Sequence, residues 1–141
     1  MKKEICTIIL EPIGIIRTPF KSQDECPSQG AEAPESIGYI EVFQEYLNGL
    51  KGLEKFEYIA VLFNFDRKKD YNLRVIPRRG GTARGVFSTC APARPNHIGV
   101  TIVRLLSVKK NILKVSGIDM MDGTPVIDIK PFSIGFLPGI S

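Results

Sequence analysis

The sequence predicts a mainly β protein, one domain over residues 1–141, and three observations carry that reading. First, its apolar residues fall in short runs rich in Val, Ile and Phe: IGYIEVF (37–43), YIAVLFNF (58–65), IGVTIVRLLSV (98–108) and ILKVSGI (112–118). Second, the helix-length window YLNGLKGLEKF (46–56) is interrupted by Gly49 and Gly52, which favours a turn or a single helical turn. Third, neither G-x-G-x-x-G nor G-x-x-x-x-G-K-[ST] occurs anywhere, so a Rossmann domain with its phosphate turn and alternating helices is excluded. A chain of 141 residues is long enough for a real core. Its 43% apolar and 24% charged residues are those of an ordinary globular protein, and no apolar run reaches membrane-spanning length.

Taken in order, residues 5–17 read as a first strand, open to a break at 12–14. The start MKKEICTIILEPIG imitates a signal peptide, but Glu4, Glu11 and Pro12 interrupt its apolar patch and no small-residue cleavage site follows. A cytoplasmic address is the expectation. Residues 21–36, KSQDECPSQGAEAPES, form a long loop with two prolines and few apolar residues. Loops of that length in compact domains are functional or disordered. The run 37–43 is a strand. The run 58–65 is nearly continuous in apolar character, which predicts a central strand buried on both faces and ended by Asp66. Residues 67–84 form a basic connection with a short strand at 73–76 and flexible glycines at 80–81. Residues 98–108 and 112–118 form a hairpin across 109–111. DMMDGTP (119–125) is a turn, and 126–129 is a strand. After Phe132 the tail is apolar and broken by Gly and Pro, so it packs on the domain or on a partner subunit.

The chain is organised around 85–103, GVFSTCAPARPNHIGVTIV. Its two ends read as strand. Between them Pro92 and Pro95 fix two φ angles, remove two donors, and push Ala91 and Arg94 into extended conformation. Arg94, Asn96 and His97 are therefore presented on a stiffened loop. A fork donor, an amide and an imidazole on a stiff loop suit a built site.

This stretch resembles the signature of the TsaA-like, or TrmO, family, which reads roughly G-V-F-A-T-R-S-P-x-R-P-N-P-I-G-L. Gly85, Val86, Phe87, Thr89, Pro92, Arg94, Pro95, Asn96, Ile98 and Gly99 match; Cys90, Ala91 and His97 stand where the family usually has Arg, Ser and Pro. The opening E-P-I-G-I-I-R-T-P-F, the segment G-L-x-G-L-E-x-F and the run from Asp119 to Phe132 (D-x-x-D-G-T-P-V-x-D-I-K-P-F) are similar to further family patterns, so the resemblance spans nearly the whole chain. Asp66 departs from the usual His. The resemblance implies a small closed or nearly closed β barrel, not a Rossmann methyltransferase. It implies S-adenosyl-L-methionine as cofactor, methyl transfer to the N6-threonylcarbamoyl adenosine next to a tRNA anticodon, a homodimer, and a 21–36 loop that lines the cofactor pocket through Ser28, Gln29 and Gly30.

Charge is placed unevenly. Residues 1–60 carry a net of −4 and residues 61–141 a net of +8. Arg67, Lys68, Lys69, Arg74, Arg78, Arg79, Arg84 and Arg94 face one acid, Asp70. Such a segment fits either an anionic partner, with RNA the natural candidate, or a solvated loop. The three cysteines, Cys6, Cys26 and Cys90, are odd in number and contain no C-x-x-C pair; with one histidine in the chain, neither a disulfide framework nor a metal centre is expected.

S-adenosylmethionine needs an apolar adenine slot, a carboxylate or amide for the ribose, donors for its carboxylate, and carbonyls, carboxylates or aromatic faces for the sulfonium. The sequence offers Phe65, Ile118, Met120 and Met121 for the slot, Asp66, Asp119 and Asp122 as carboxylates, and backbone at Thr89, Cys90, Gly99 and Val100. Read without the resemblance, Phe65, Met120 and Met121 are plain core, and Asp119 and Asp122 cap a turn, Asp122 the more so before Gly123. Methyl transfer needs positioning above all, with Asn96, Arg94 and Asp119 as the catalytic candidates. His97 is a further candidate base, or a loop histidine making one hydrogen bond. Two other readings stay open: the same cofactor chemistry on a different acceptor, and a non-catalytic RNA-binding barrel.

Overall fold

The computed structural model describes residues 6–27 and 33–139. Among the described residues there are eight strands: β1 (Gly14–Arg17), β2 (Ile37–Val42), β3 (Tyr58–Asn64), β4 (Arg74–Val75), β5 (Arg84–Gly85), β6 (Ile98–Lys109), β7 (Ile112–Ser116) and β8 (Pro125–Phe132). Six close into an antiparallel barrel in the order β1-β2-β7-β6-β3-β8, and β4 and β5 pair as a separate two-stranded arm. The mainly β expectation and the closed barrel both hold, and the helical segments are short 3₁₀ turns such as Gln44–Leu50 and Leu53–Lys55.

Period-two alternation builds the core. Ile16, Ile40, Val42, Ile59, Val61, Phe63, Val103, Leu113, Val115 and Val126 point inward and are buried. β3 corrects the expectation of a strand buried on both faces. Its pattern alternates, and Tyr58 at its start is exposed. A barrel wall has one face in the core and one in solvent, so apolar residues on the outer face made the run look continuous. The first strand is also shorter than expected. Pro12 has no N–H, and pairing with β2 starts at Gly14↔Val42. The apolar run at 85–88 is not a strand beyond Gly85 but a 3₁₀ turn, Val86–Ser88. The β6–β7 hairpin forms, with Lys110 at φ 55° in its tight turn.

The barrel closes through a narrow seam: β1 meets β8 at Gly14↔Val126 and Ile15↔Pro125. Below it the edge of β8 is blunted. The Ile129 N–H donates to Asp128 Oδ1 at 2.9 Å, and two residues on, hence on the same edge, Pro131 has no N–H.

Strand direction sorts the connections into two ends. The described residues 18–27 and 33–36, with the loops 65–97 and 117–124, all lie at one end, here called the mouth. The 43–57 connection and the Lys110–Asn111 turn lie at the other.

Candidate site at the mouth of the barrel

The signature loop is ordered by its own polar groups. Arg94 Nη1 donates to the carbonyls of Thr89 at 2.9 Å, Ala91 at 3.2 Å and Val86 at 3.4 Å. Thr89 Oγ1 donates to Val86 O at 2.7 Å and accepts the Ala91 N–H at 3.2 Å. Arg94 thus holds the loop in shape. The loop ends in a turn in which His97 N donates to Arg94 O, and His97 O receives the N–H of Phe65 at 2.8 Å and Asn64 Nδ2 at 3.2 Å. His97 lies at φ 52°, a left-handed angle that proline cannot adopt. Where the family pattern has Pro, this backbone therefore takes a course of its own. His97 Nε2 meets Asp70 O at 2.7 Å, which ties the loop to the basic segment.

Phe65 is half-buried and packs edge-on against Phe63, with ring centroids 5.0 Å apart at 71°. A Cβ on Gly99 would come within 2.7 and 2.9 Å of two atoms of the Phe63 ring, so glycine is required where β6 passes beneath it. Two residues on, Thr101 Oγ1 donates to Asp119 Oδ1 at 2.7 Å. That bond ties the start of the second family-like run to β6 just past the end of the first.

Asp122 joins the mouth loops. Its Oδ1 accepts the Thr18 N–H at 3.1 Å, its Oδ2 meets Lys21 Nζ at 3.0 Å, and its carbonyl accepts from Arg67 Nη2 at 2.8 Å. Thr18 Oγ1 in turn donates to Met120 O at 2.8 Å. The Lys21 ammonium and the Thr18 N–H hold the Asp122 carboxyl below the usual aspartate range, against a smaller opposing effect of desolvation. From the arm, Arg78 Nη2 donates to Asp24 O at 3.2 Å. Cys26 lies buried under these loops. Burial first, then the charges of Asp119 and Glu25, push its thiol up to about 11, while Arg78 and Arg67 oppose the rise.

The expected site residues therefore separate. Ser28, Gln29 and Gly30 lie outside the described residues. Asp119, Phe65 and Met121 are half-buried at the mouth; Thr89 is half-buried in the signature loop. Ile118 and Met120 are buried side chains of the core cluster, so they offer the mouth backbone only. Asp66 and Cys90 are exposed, and Val100 points outward from β6. Asn96 is exposed and lines an outer cleft of about 230 Å³ with Leu10, Asn64, Ile98 and Ile127. A larger cavity, about 540 Å³, sits between Leu50, Lys51, Lys55 and Ile129 at the opposite end from the mouth loops, and apolar side chains and two lysines line it there. Thr18, Lys21, Arg67 and Thr101 were not among the residues expected at the site. Sequence carries little signal for them, since Thr18 and Asp122 are 104 positions apart.

A closed antiparallel barrel whose long loops and polar groups gather at one mouth defines a β-barrel ligand-binding domain rather than a Rossmann enzyme. The model of the tRNA-methyltransferase O N-terminal domain matches residues 15–136. The chain belongs to that family. It is 46% identical over 134 residues to a probable S-adenosyl-L-methionine-binding protein of Methanothermobacter thermautotrophicus, covering 92% of this chain and 96% of that one. It is 36% identical over 136 residues to the tRNA (adenine(37)-N6)-methyltransferase of Mus musculus, covering 92% of this chain and 32% of that one. The crystal structure of TrmO from Pseudomonas aeruginosa superimposes with a TM-score of 0.76 at 34% identity, over 96% of this chain and 60% of that chain. The chain thus spans about three fifths of the solved TrmO chain and about a third of the mouse enzyme, but nearly all of the archaeal relative.

Proposed function

We propose that this chain is an S-adenosyl-L-methionine-dependent methyltransferase that modifies tRNA, with N6 of the N6-threonylcarbamoyl adenosine beside the anticodon as acceptor, working as a cytoplasmic homodimer. One observation carries the reading: Asp119, which opens the second family-like run, is held at the mouth by Thr101, the residue just past the end of the first. Relatives named for S-adenosylmethionine binding and for tRNA adenine methylation support it.

The donor set at the mouth fits the cofactor. Half-buried Phe65 and Met121 offer apolar surface, Asp119 a carboxylate whose orientation Thr101 fixes, and Arg67 a cation at the rim. Bound there, S-adenosylmethionine supplies an electrophilic methyl group on a sulfonium that is its own leaving group. The residues of this chain then have positioning to do. Asp119 holds negative charge beside the ligand. Arg94 keeps the signature loop in one shape, with Thr89 as its internal brace. Asp122 draws the three loops around the ligand and narrows access for water.

The homodimer has its own support. The outer face of β6 and β3 exposes Val100, Ile102, Leu106 and Tyr58, and the tail exposes Ile134 and Phe136. Asn96 opens on the outer cleft, where it would serve the reaction once a second copy or the acceptor fills that space.

Calorimetry with S-adenosylmethionine, followed by transfer of a labelled methyl group to tRNA, tests the proposal. We expect saturable binding that EDTA leaves intact and label recovered on an N6-substituted adenosine. A flat titration at high protein concentration sinks the cofactor assignment, and binding without transfer to tRNA sinks the acceptor.

A further inference from the structure

The arm carries more than charge. Phe87 is 76% exposed and Tyr71 is 53% exposed, while the backbone under each ring is pinned. Phe87 is the centre of the Val86–Ser88 turn. Behind it Val86 is buried, and its carbonyl takes bonds from the Thr89 N–H, Thr89 Oγ1 and Arg94 Nη1. Ahead of it, Ser88 Oγ donates to Gly85 O at 2.7 Å and Ser88 O accepts from Arg84 Nη2 at 2.8 Å. Tyr71 is bracketed likewise. On one side Asp70 O meets His97 Nε2; on the other, Asn72 N donates to Ala93 O at 3.1 Å. The Leu73 carbonyl accepts the Val86 N–H at 2.9 Å, so the segments bearing the two rings run alongside each other.

Leaving an aromatic ring in water forgoes the stabilisation its burial would bring. Fixing the backbone beneath it suits a partner that presents a flat face, because no backbone freedom of the segment has to be lost on binding. The surrounding charge names the partner. Arg74, Arg78 and Arg84 each donate to a backbone carbonyl, which leaves their net charge in place for a polyanion. Paired RNA hides its base faces, whereas unpaired bases stack on aromatic rings whatever their identity.

We infer that Phe87 and Tyr71 form a stacking platform for the unpaired bases of an RNA loop, with the arginines of the arm taking its phosphates. This rests on the RNA-acting reading above and assigns it side chains of the 65–97 connection distinct from Phe65, Met121 and Asp119, which are given to the cofactor.

The test compares two fluorescent RNAs of equal length: a stem-loop with an unpaired loop, and a fully paired hairpin. The wild-type chain should prefer the stem-loop. Phe87→Ala should weaken stem-loop binding about fivefold to a hundredfold, leave paired RNA and the salt dependence as they were, and leave calorimetric cofactor affinity unchanged. Phe87→Trp should restore the preference. Tyr71→Ala should act in the same direction. The inference fails if Phe87→Ala binds both RNAs as the wild type does. It fails as well if that variant turns a dimer into a monomer in sedimentation, which would give Phe87 to a second copy. A wild-type chain that binds cofactor but neither RNA overturns the RNA-acting reading itself, and this inference with it.

Discussion

The two ends of this barrel are built from the same strands and held by different forces. At the mouth, three loops are tied to one another by bonds between polar groups: Asp122 to Thr18, Lys21 and Arg67, Thr101 to Asp119, and Arg78 to Asp24. At the opposite end the 43–57 connection closes the barrel with apolar side chains, where buried Leu50 and half-buried Tyr46 and Leu53 pack on the core. Polar ties are directional and respond to pH and to charge screening; apolar packing is non-directional and does not titrate. The difference separates a region suited to change partners from one suited to stay shut.

Substitutions at the two ends should separate stability from binding. Leu50→Ala should have the largest effect on stability, about 2–4 kcal/mol, read as a lower urea midpoint with unchanged slope. Cofactor affinity of the folded molecules should not move, and an equal loss of affinity would show that the ends are coupled. Asp122→Asn should cost less, about 1 kcal/mol, because an exposed Lys21 pair is worth little, yet it should weaken cofactor binding several-fold by loosening the loops. It also has a pH signature. The folded-state pKa of Asp122 lies below its ordinary 3.8, so its contribution is complete above that value and is lost as pH falls through the folded pKa. Urea titrations below about pH 4 should therefore show a steeper fall for the wild type than for Asp122→Asn.

Cys26→Ala should be the mildest in stability, and its pH dependence runs the other way. A thiol moved from 9.0 to about 11 contributes below 9.0 and loses that contribution as pH rises toward 11. The wild type should weaken over that window and the variant should not. In the native protein at pH 8, iodoacetamide should reach exposed Cys6 and Cys90 before buried Cys26. Equal rates would mean that the mouth loops do not cover the thiol.

The fold was largely legible because strand signals are local. The runs at 37–43, 98–108 and 112–118 contain their alternation within themselves, and the glycines at 49 and 52 announced that no long helix would form. β3 was misjudged because a run of apolar residues does not say which face meets solvent. The strand expected from Gly85 onward was overextended: it is the pair Arg84–Gly85, and the apolar residues after it form a 3₁₀ turn, because an apolar run of three does not distinguish the two. The site was legible in part. Asp119 and the signature loop stand out by composition, but the role of Asp122 depends on Lys21 and Thr18, partners separated from it by 101 and 104 positions. Nor does composition reveal that Arg94 turns inward to its own loop, since an arginine between prolines reads equally well as a free hand.

The seam between β1 and β8 has a consequence for how this chain behaves among its copies. With two paired positions and a few flanking backbone bonds, such as Ile16 N–H to Thr124 O, it is the shortest line of strand pairing in the barrel wall, so amides of β1 should exchange with deuterium ahead of those in β3 and β6. A barrel that opens there could trade strands with a neighbour. The stretch of β8 that such a neighbour would reach has its Ile129 amide already occupied by Asp128 and has nothing to donate at Pro131. The barrel can breathe along its seam without inviting fibre growth, and Asp128→Ala is the change that would remove that safeguard.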